Sequence, residues 1–244
     1  MINNPLVSIS IPHFNYPLYL DECVDSILDQ TFQNFEIIIV DDCSTDIIAR
    51  EIVLKQQNKD NRIKCIFNER NMKCAESRNI GILNSNGKYI VSFDSDNTMC
   101  SNFLERHLNE INSHPIVSSN YQWFGDKNEM EIKPESCGLN ILLTTNYIDC
   151  CAMFEKQLWE ECGGFKSELE NMFDDWEFWI NLAKLGYEVY FIPEILFNYR
   201  SHKKRSTITE TNLFIKHLNI IKSHHSDFNP DFVGWESICG KETP

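Results

Sequence analysis

The sequence predicts an α/β fold, a mixed but mostly parallel sheet flanked by helices on both faces. Short β-rich runs alternate with helical patterns through the first half of the chain, and that order builds parallel sheets by crossover connections. The run at 35–40 is apolar almost without interruption, as a strand covered on both faces requires. Asp41, Asp42, Asn68, Asp94 and Asp96 all fall where strands are expected to end, and ligands of such sheets gather beyond the strands' carboxyl ends.

The elements follow in order. Residues 7–11 form a β-rich run, and after a turn over 12–17 the residues Leu20, Val24, Ile27 and Leu28 recur at helical spacing. Beyond the strand at 35–40, Ser44 or Thr45 is expected to cap a helix carrying Ile48, Ile52 and Val53. A strand at 63–67, a helix over 74–83, a strand at 89–93, a helix over 102–111 and a strand at 116–121 continue the alternation. Residues 125–135 are polar and read as a loop or hairpin. A helix over 156–162 is broken at Gly163-Gly164, an aromatic-rich helix over 174–185 is stopped by Gly186, and 188–192 returns to strand. The last helix, 210–224, is amphipathic, with Leu213, Phe214, His217, Leu218 and Ile221 inward. Packing on the domain is the preferred role for that face, with pairing to another copy or contact with a membrane left open.

A chain of 244 residues buries a substantial core and suits one domain, residues 1–206, with a helical extension over 207–244. It has no run of about 18 apolar residues and no secretory signal pattern at its start, so a cytoplasmic location is expected, with peripheral attachment to the inner face of a membrane left open. The formal charge is -14, from 22 basic and 36 acidic residues, which argues against a nucleic-acid partner. Ten cysteines are scattered through core segments without a Cys-x-x-Cys pair. They read as reduced, small apolar fillers and not as a disulfide framework or a zinc site.

The acidic doublet Asp94-Ser95-Asp96 ends an apolar strand. Strand alternation would place Asp94 and Asp96 on one side and Ser95 on the other. Two hard oxygen ligands suit a divalent cation, and a cation suits a diphosphate. The same pattern also occurs in solvated turns and helix caps, so the remaining motifs decide its meaning.

Residues 7–15, Ser26 to Phe32 and Val40 to Asp46 form an ordered series that resembles the amino-terminal half of family 2 glycosyltransferases, inverting enzymes of the Rossmann-like GT-A fold. The likeness runs along roughly the first 100 residues and returns between 152 and 206. It implies a nucleotide-sugar-binding half over 1–100 and an acceptor-binding half over 101–206.

The resemblance assigns Pro12, Phe14 and Asn15 to the wall of a uracil-type pocket, with Phe14 as a buried turn aromatic the competing reading. Asp42 would accept from the base imide while Asp41 braces the loop, and helix capping competes for both. Asn71 to Asn79 resembles the family's Asn-x-Gly-x-x-x-Ala-Arg-Asn, with Lys73 in place of Gly and Ser77 in place of Ala. Lys avoids positive φ, so this loop's conformation is in question. The guanidinium of Arg78 fits phosphate or a bracing carboxylate.

Asp94-Ser95-Asp96 stands at the family's metal motif, which implies Asp96 as a direct ligand of Mn²⁺ or Mg²⁺ and Asp94 on the ribose or on the metal. Asp174-Asp175-Trp176 and Trp179 resemble the family's Glu-Asp segment beside the acceptor. Asp175 matches the catalytic base, and Asp174, Trp176 and Trp179 would flank the acceptor. The bland alternatives are two aspartates favouring a helix macrodipole and two core tryptophans. Tyr199-Arg200-Ser201-His202-Lys203-Lys204-Arg205-Ser206 resembles a family segment in which His202 would be a further metal ligand and the neighbouring basic residues would hold the diphosphate as a closing loop, with a solvated basic turn the competing reading.

The activity implied is metal-dependent, inverting transfer of a sugar from a nucleotide donor, UDP-linked by preference, to a hydroxyl of a glycan or lipid-linked glycan, as in bacterial surface glycan synthesis. A sugar nucleotidyltransferase and a non-catalytic nucleotide-sugar-binding or assembly subunit are the competing readings, and a homo-oligomer stays open.

Overall fold

The computed structural model describes residues 4–170, 172–202 and 211–228. Half of its sheet is parallel: β1 (Val7–His13) lies between β2 (Phe35–Asp41) and β4 (Tyr89–Ser92), and β3 (Ile63–Phe67) lies outside β2. The crossovers are α1 (Leu20–Leu28), α2 (Ile47–Gln57) and α3 (Lys73–Leu83). The predicted fold class is therefore the observed one. Ile90 and Val91, neighbours on β4, enter different core clusters on the two faces of the sheet, which is the burial that the uninterrupted apolar runs imply.

The second half is mixed. β5 (Thr98–Met99) and α4 (Phe103–Glu110) precede β6 (Ile116–Gly125), and β7 (Met130–Glu131) folds back on β6 as the hairpin expected over 125–135. After β8 (Ser136–Cys137) and α5 (Leu139–Leu142), β9 (Met153–Glu155) enters between β4 and β6, antiparallel to both. Then come α6 (Lys156–Cys162), α7 (Asp174–Lys184), β10 (Val189–Ser201) and α8 (Thr211–His224).

Four local expectations are corrected. The cap of α2 is neither Ser44 nor Thr45 but Asp46, whose side chain accepts from the Ile48 amide at 2.9 Å. Within that helix Ala49, Val53 and Gln56 are buried, while Ile48 is exposed. β4 stops at Ser92, and Asp94 begins a turn in which its carbonyl accepts the Asn97 amide at 3.2 Å. β10 does not end at Ile192. It passes Pro193 through register shifts between Ile192 and Phe197 and runs on to Ser201, because a bulge absorbs the residue that cannot donate to the ladder. That extension carries Arg200 and His202 to the carboxyl edge of the sheet.

Two packing details position the site. α3 lies so close to β1 that a Cβ at Gly81 would stand 2.0 Å from Ser10 Oγ, so the glycine permits the approach that brings Arg78 over the sheet's end. α8 packs on the domain: Phe214, Leu218 and Ile221 are buried in the cluster that holds α7, and Phe214 meets the Phe173 ring at 5.4 Å. Among the described residues the cysteines are free thiols, and no helix is long and apolar enough to cross a membrane.

Candidate active site

The loops beyond β1, β2 and β4, the start of α3, the start of α7 and the end of β10 converge. Pro12 is buried in β1 opposite Val40, and Phe14, two residues on, is 43% exposed. Phe14 is thus an open aromatic face, not the buried turn residue of the competing reading. Asn15 is committed elsewhere. Its Oδ1 accepts the amides of Thr45 and Asp46 at 2.8 and 2.9 Å, its Nδ2 donates to Thr45 Oγ1, and its own amide donates to Ser44 Oγ. It sews the first loop to the second and shapes the pocket wall through that seam.

Asp41 braces its loop by accepting the Ser44 amide at 3.2 Å. Asp42, almost fully buried, accepts from Asn68 Nδ2 and from the Met72 and Lys73 amides at 2.8, 2.7 and 2.8 Å. It thereby caps α3 from across the site. A carboxylate offers about four lone-pair positions, so three accepted bonds leave room for a further donor. Lys73 adopts φ +73, so lysine takes the left-handed conformation that the family pattern reserves for glycine.

Arg78 is 5% exposed, and each of its three guanidinium nitrogens donates to a protein side chain. Its Nε donates to Asp174 Oδ2 at 3.0 Å, Nη1 to Ser92 Oγ at 2.7 Å and Nη2 to Asp94 Oδ1 at 2.7 Å. Of the two partners the sequence allowed, phosphate or carboxylate, the structure supplies the carboxylates. One guanidinium therefore fixes the first aspartate of the Asp94-Ser95-Asp96 turn against the first turn of α7. The turn also sends its two aspartates to different partners, so strand alternation is not what places them. Asp96 Oδ2 lies 2.9 Å from His202 Nε2, and His202 Nδ1 lies 3.0 Å from the Tyr16 hydroxyl.

A carboxylate and an imidazole whose second nitrogen is already held fit a hard divalent cation. Among the described residues no group of three or more His, Cys, Asp and Glu stands at metal-binding positions. Asp96 and His202 would therefore hold the ion together with oxygens of a bound diphosphate, an arrangement usual for Mg²⁺ in phosphate sites. Lys203, Lys204 and Arg205 lie outside the described residues.

Asp174 and Asp175 open α7 behind Phe173, which sits at φ +62. Asp174 is buried against Arg78, and burial, opposed by that guanidinium, raises its carboxyl. Asp175 is partly exposed. Burial and then the neighbouring Asp174 push its carboxyl up to about 7. Its Oδ1 accepts the Trp176 amide at 2.7 Å and stands 3.4 Å from Asn146 Nδ2. Asn15, Cys43, Lys73 and Phe173 all hold positive φ, each at or beside a residue of this site, and such strain persists only where the surroundings enforce it.

A family model described as glycosyl transferase family 2 matches residues 8–163. The chain belongs to that family. It is 30% identical over 202 residues to TuaG of Bacillus subtilis, provisionally named as a teichuronic acid biosynthesis glycosyltransferase, covering 80% of this chain and 79% of TuaG. An uncharacterized glycosyltransferase of Haemophilus influenzae is 29% identical over 234 residues, 90% of this chain and 77% of its own length. Another from the same organism is 37% identical over 133 residues, and that match takes in 53% of its length. Among solved structures, Staphylococcus aureus TarS 1-349 in complex with UDP-GlcNAc superimposes with a TM-score of 0.73 at 21% identity, over 89% of this chain and 65% of that one. The chain thus spans about half to four fifths of these proteins.

Within this family 2 chain, one pair of expected site residues is corrected. Trp176 and Trp179 do not floor an acceptor site, because both are at most 1% exposed. Trp176 Nε1 donates to the Leu142 carbonyl at 2.7 Å, and Trp179 packs edge-on against Phe154 and Phe178. Beyond its first two residues α7 gathers its polar side chains, Glu177, Asn181 and Lys184, on one stripe, and Trp176 and Trp179 lie off that stripe among buried neighbours, so its tryptophans are core.

Several residues of the site carried no assignment in the sequence. Arg200 donates from Nε to the Asp96 carbonyl at 2.7 Å and from its amide to Asn97 Oδ1 at 2.9 Å. Its guanidinium lies between the Tyr19 and Phe124 rings at 4.0 and 4.1 Å, and it pairs with Glu22. It clamps the Asp94–Asn97 turn in place. Tyr16, Ser92 and Asn146 are likewise visible only through their contacts, since a single polar side chain leaves no periodic signal.

Proposed function

We propose that the chain is an inverting glycosyltransferase that moves a sugar from a nucleotide donor, UDP-linked by preference, to a hydroxyl of a saccharide or lipid-linked saccharide, with Mn²⁺ or Mg²⁺ as cofactor. The observation that carries this reading is Asp175, a partly exposed carboxyl at the mouth of α7 held near 7. A general base works best with a pKa near the operating pH. Asp175 takes the proton of the acceptor hydroxyl as that oxygen attacks the anomeric carbon opposite the leaving diphosphate, and a single displacement inverts the configuration.

The other parts follow from the geometry. Phe14 offers a face for a base, and Asp42 retains capacity for an imide N–H. Arg78 holds Asp94 and Asp174 rigid, so the donor and acceptor sides keep a fixed spacing. Asp96 and His202 would hold the cation, which when bound neutralises charge developing on the departing diphosphate. TuaG and the UDP-GlcNAc complex of TarS support a nucleotide-sugar donor and a bacterial glycan as the class of acceptor. With lysine at position 73 the loop keeps its left-handed turn and its bond to Asp42, which weighs against the non-catalytic alternative.

The test is a panel of UDP-sugars incubated with purified protein, Mn²⁺ and saccharide acceptors, with UDP release followed and the product anomer assigned by NMR. Metal-dependent UDP release with an inverted linkage is expected, and loss of turnover by at least 100-fold in Asp175→Asn. Transfer that is unchanged in Asp175→Asn, or proceeds with retention, overturns the proposal.

A further inference from the structure

We propose that Tyr16 is a positioning residue that supports the cation-binding tautomer of His202 by accepting its Nδ1 proton, and that through it the loop facing the nucleobase is coupled to the cation site. The inference rests on the reading of Asp96 and His202 as cation ligands. His202 has one nitrogen on each of two partners, Nε2 at 2.9 Å from Asp96 Oδ2 and Nδ1 at 3.0 Å from the Tyr16 hydroxyl. A neutral imidazole carries one ring proton.

With that proton on Nε2, the ring donates to Asp96 and Nδ1 accepts the Tyr16 O–H. With the proton on Nδ1, the ring donates to the Tyr16 oxygen, and the bare Nε2 lone pair points beside the Asp96 carboxylate. The second tautomer offers a cation two converging donors. A phenol hydroxyl both donates and accepts, so Tyr16 satisfies His202 in either state, whereas a carbonyl or an amide N–H would lock one of them.

The rings enforce the geometry. Tyr16 and His202 stack at 5.0 Å with 18° between planes, and Tyr19 leans on His202 at 5.4 Å while carrying Arg200 on its own ring. Tyr16 follows Asn15, whose side chain is tied to Thr45 and Asp46, and it stands two residues from the exposed Phe14. A base seated on Phe14 therefore steadies the loop that holds His202. By linkage, a cation that fixes His202 steadies the same loop for the nucleotide by an equal factor.

Tyr16→Phe keeps the ring and removes only the hydroxyl. Loss of a hydrogen-bond partner behind a metal ligand typically costs about 10–100-fold in metal affinity. Mn²⁺ titrations read by the EPR signal of the free ion, in the presence of UDP, should show at least a tenfold weaker site in Tyr16→Phe. The gain in UDP affinity produced by Mn²⁺ should shrink by the same factor. In ¹⁵N spectra with UDP and Mg²⁺ at a concentration that half-saturates the unaltered chain, His202 should be more Nδ1-protonated in the unaltered chain and shifted towards Nε2-protonation in the variant.

Equal Mn²⁺ affinity in the two proteins overturns the inference while leaving the cation site standing. So does a weaker site with the tautomer unchanged, which is what a merely structural Tyr16 would give. If the unaltered chain binds no Mn²⁺ with UDP, the ligand assignment falls, and the inference with it.

Discussion

Asp42 Oδ1 and Oδ2 accept the Met72 and Lys73 amides at 2.7 and 2.8 Å, so a carboxylate at the end of β2 closes the amino end of α3, a helix whose N-cap residue Met72 supplies no side-chain cap. Two orphan amides of α3 are satisfied by this one group. The same bond pins Lys73 at φ +73, a conformation that costs an L-residue roughly 1–2 kcal/mol.

Lys73→Gly should therefore stabilise the protein. Glycine relieves the backbone strain but loses roughly 0.5–1 kcal/mol through its freer unfolded chain, so the net gain expected is about 0.5–1 kcal/mol. Urea unfolding monitored by tryptophan fluorescence reads it as a higher midpoint at constant slope. UDP affinity should be retained, because the Lys73 contribution to the capping contact is a backbone amide. A loss of stability would mean that the lysine side chain compensates the strain.

Asp175 gives a pH dependence of definite sign. Its carboxyl is pushed from the ordinary 3.8 up to about 7 by burial and by Asp174, and the base is active only when ionised. The rate constant kcat/KM should fall about tenfold per pH unit below 7 and reach a plateau above it. Stability runs the other way. Below pH 4 both folded and unfolded states hold the proton, between 4 and 7 only the folded state does, so this group's contribution declines as pH rises through that window. Asp175→Asn should remove both effects: turnover is lost, while the pH slope of the melting temperature between 4 and 7 becomes shallower.

Arg78 spends three donors on Ser92, Asp94 and Asp174. A lysine keeps the charge but presents one compact point on a flexible stem, so Arg78→Lys cannot reach all three. Breaking a buried ion pair typically costs about 3–5 kcal/mol, and retention of the charge places the expected loss at the lower end. The variant should also lose turnover even at temperatures where it remains folded, since Asp94 and the first turn of α7 are no longer tied together. Denaturant midpoints and rates measured on the same samples separate the two effects.

How much of this was legible follows from the kind of signal each part leaves. Parallel β1 to β4 were readable because short β-rich runs alternate with helical patterns along this half of the chain. β9 has three residues, Met153–Glu155, and β5 has two, too few for periodicity to mark. β10 was read as ending at Ile192 because Pro193 breaks the pattern, and the bulge that carries the strand past it has no sequence signature. Asp94, Asp96, Arg78 and Asp175 stood out because their motifs recur in order, yet the geometry joining them was not implied. Only the folded chain puts Asp94 on Arg78 and Asp96 on His202. The tryptophans of α7 failed for the converse reason: position beside Asp175 suggested contact with substrate, while helix geometry turns residues one and four places later into the core.

Trp176 tests that last point. It is fully buried, and its Nε1 donates to the Leu142 carbonyl at 2.7 Å, which ties α5 to α7. Trp176→Phe leaves a buried carbonyl without its donor and a void where the larger ring stood. An unsatisfied buried group costs about 1–3 kcal/mol, and the cavity adds to it. The expected result is a clear drop in stability with KM for the acceptor unchanged at a temperature where the variant is folded. A residue that stacked on the acceptor would give the opposite split, with KM rising several-fold and stability little altered, so a single variant measured both ways decides between core and acceptor floor.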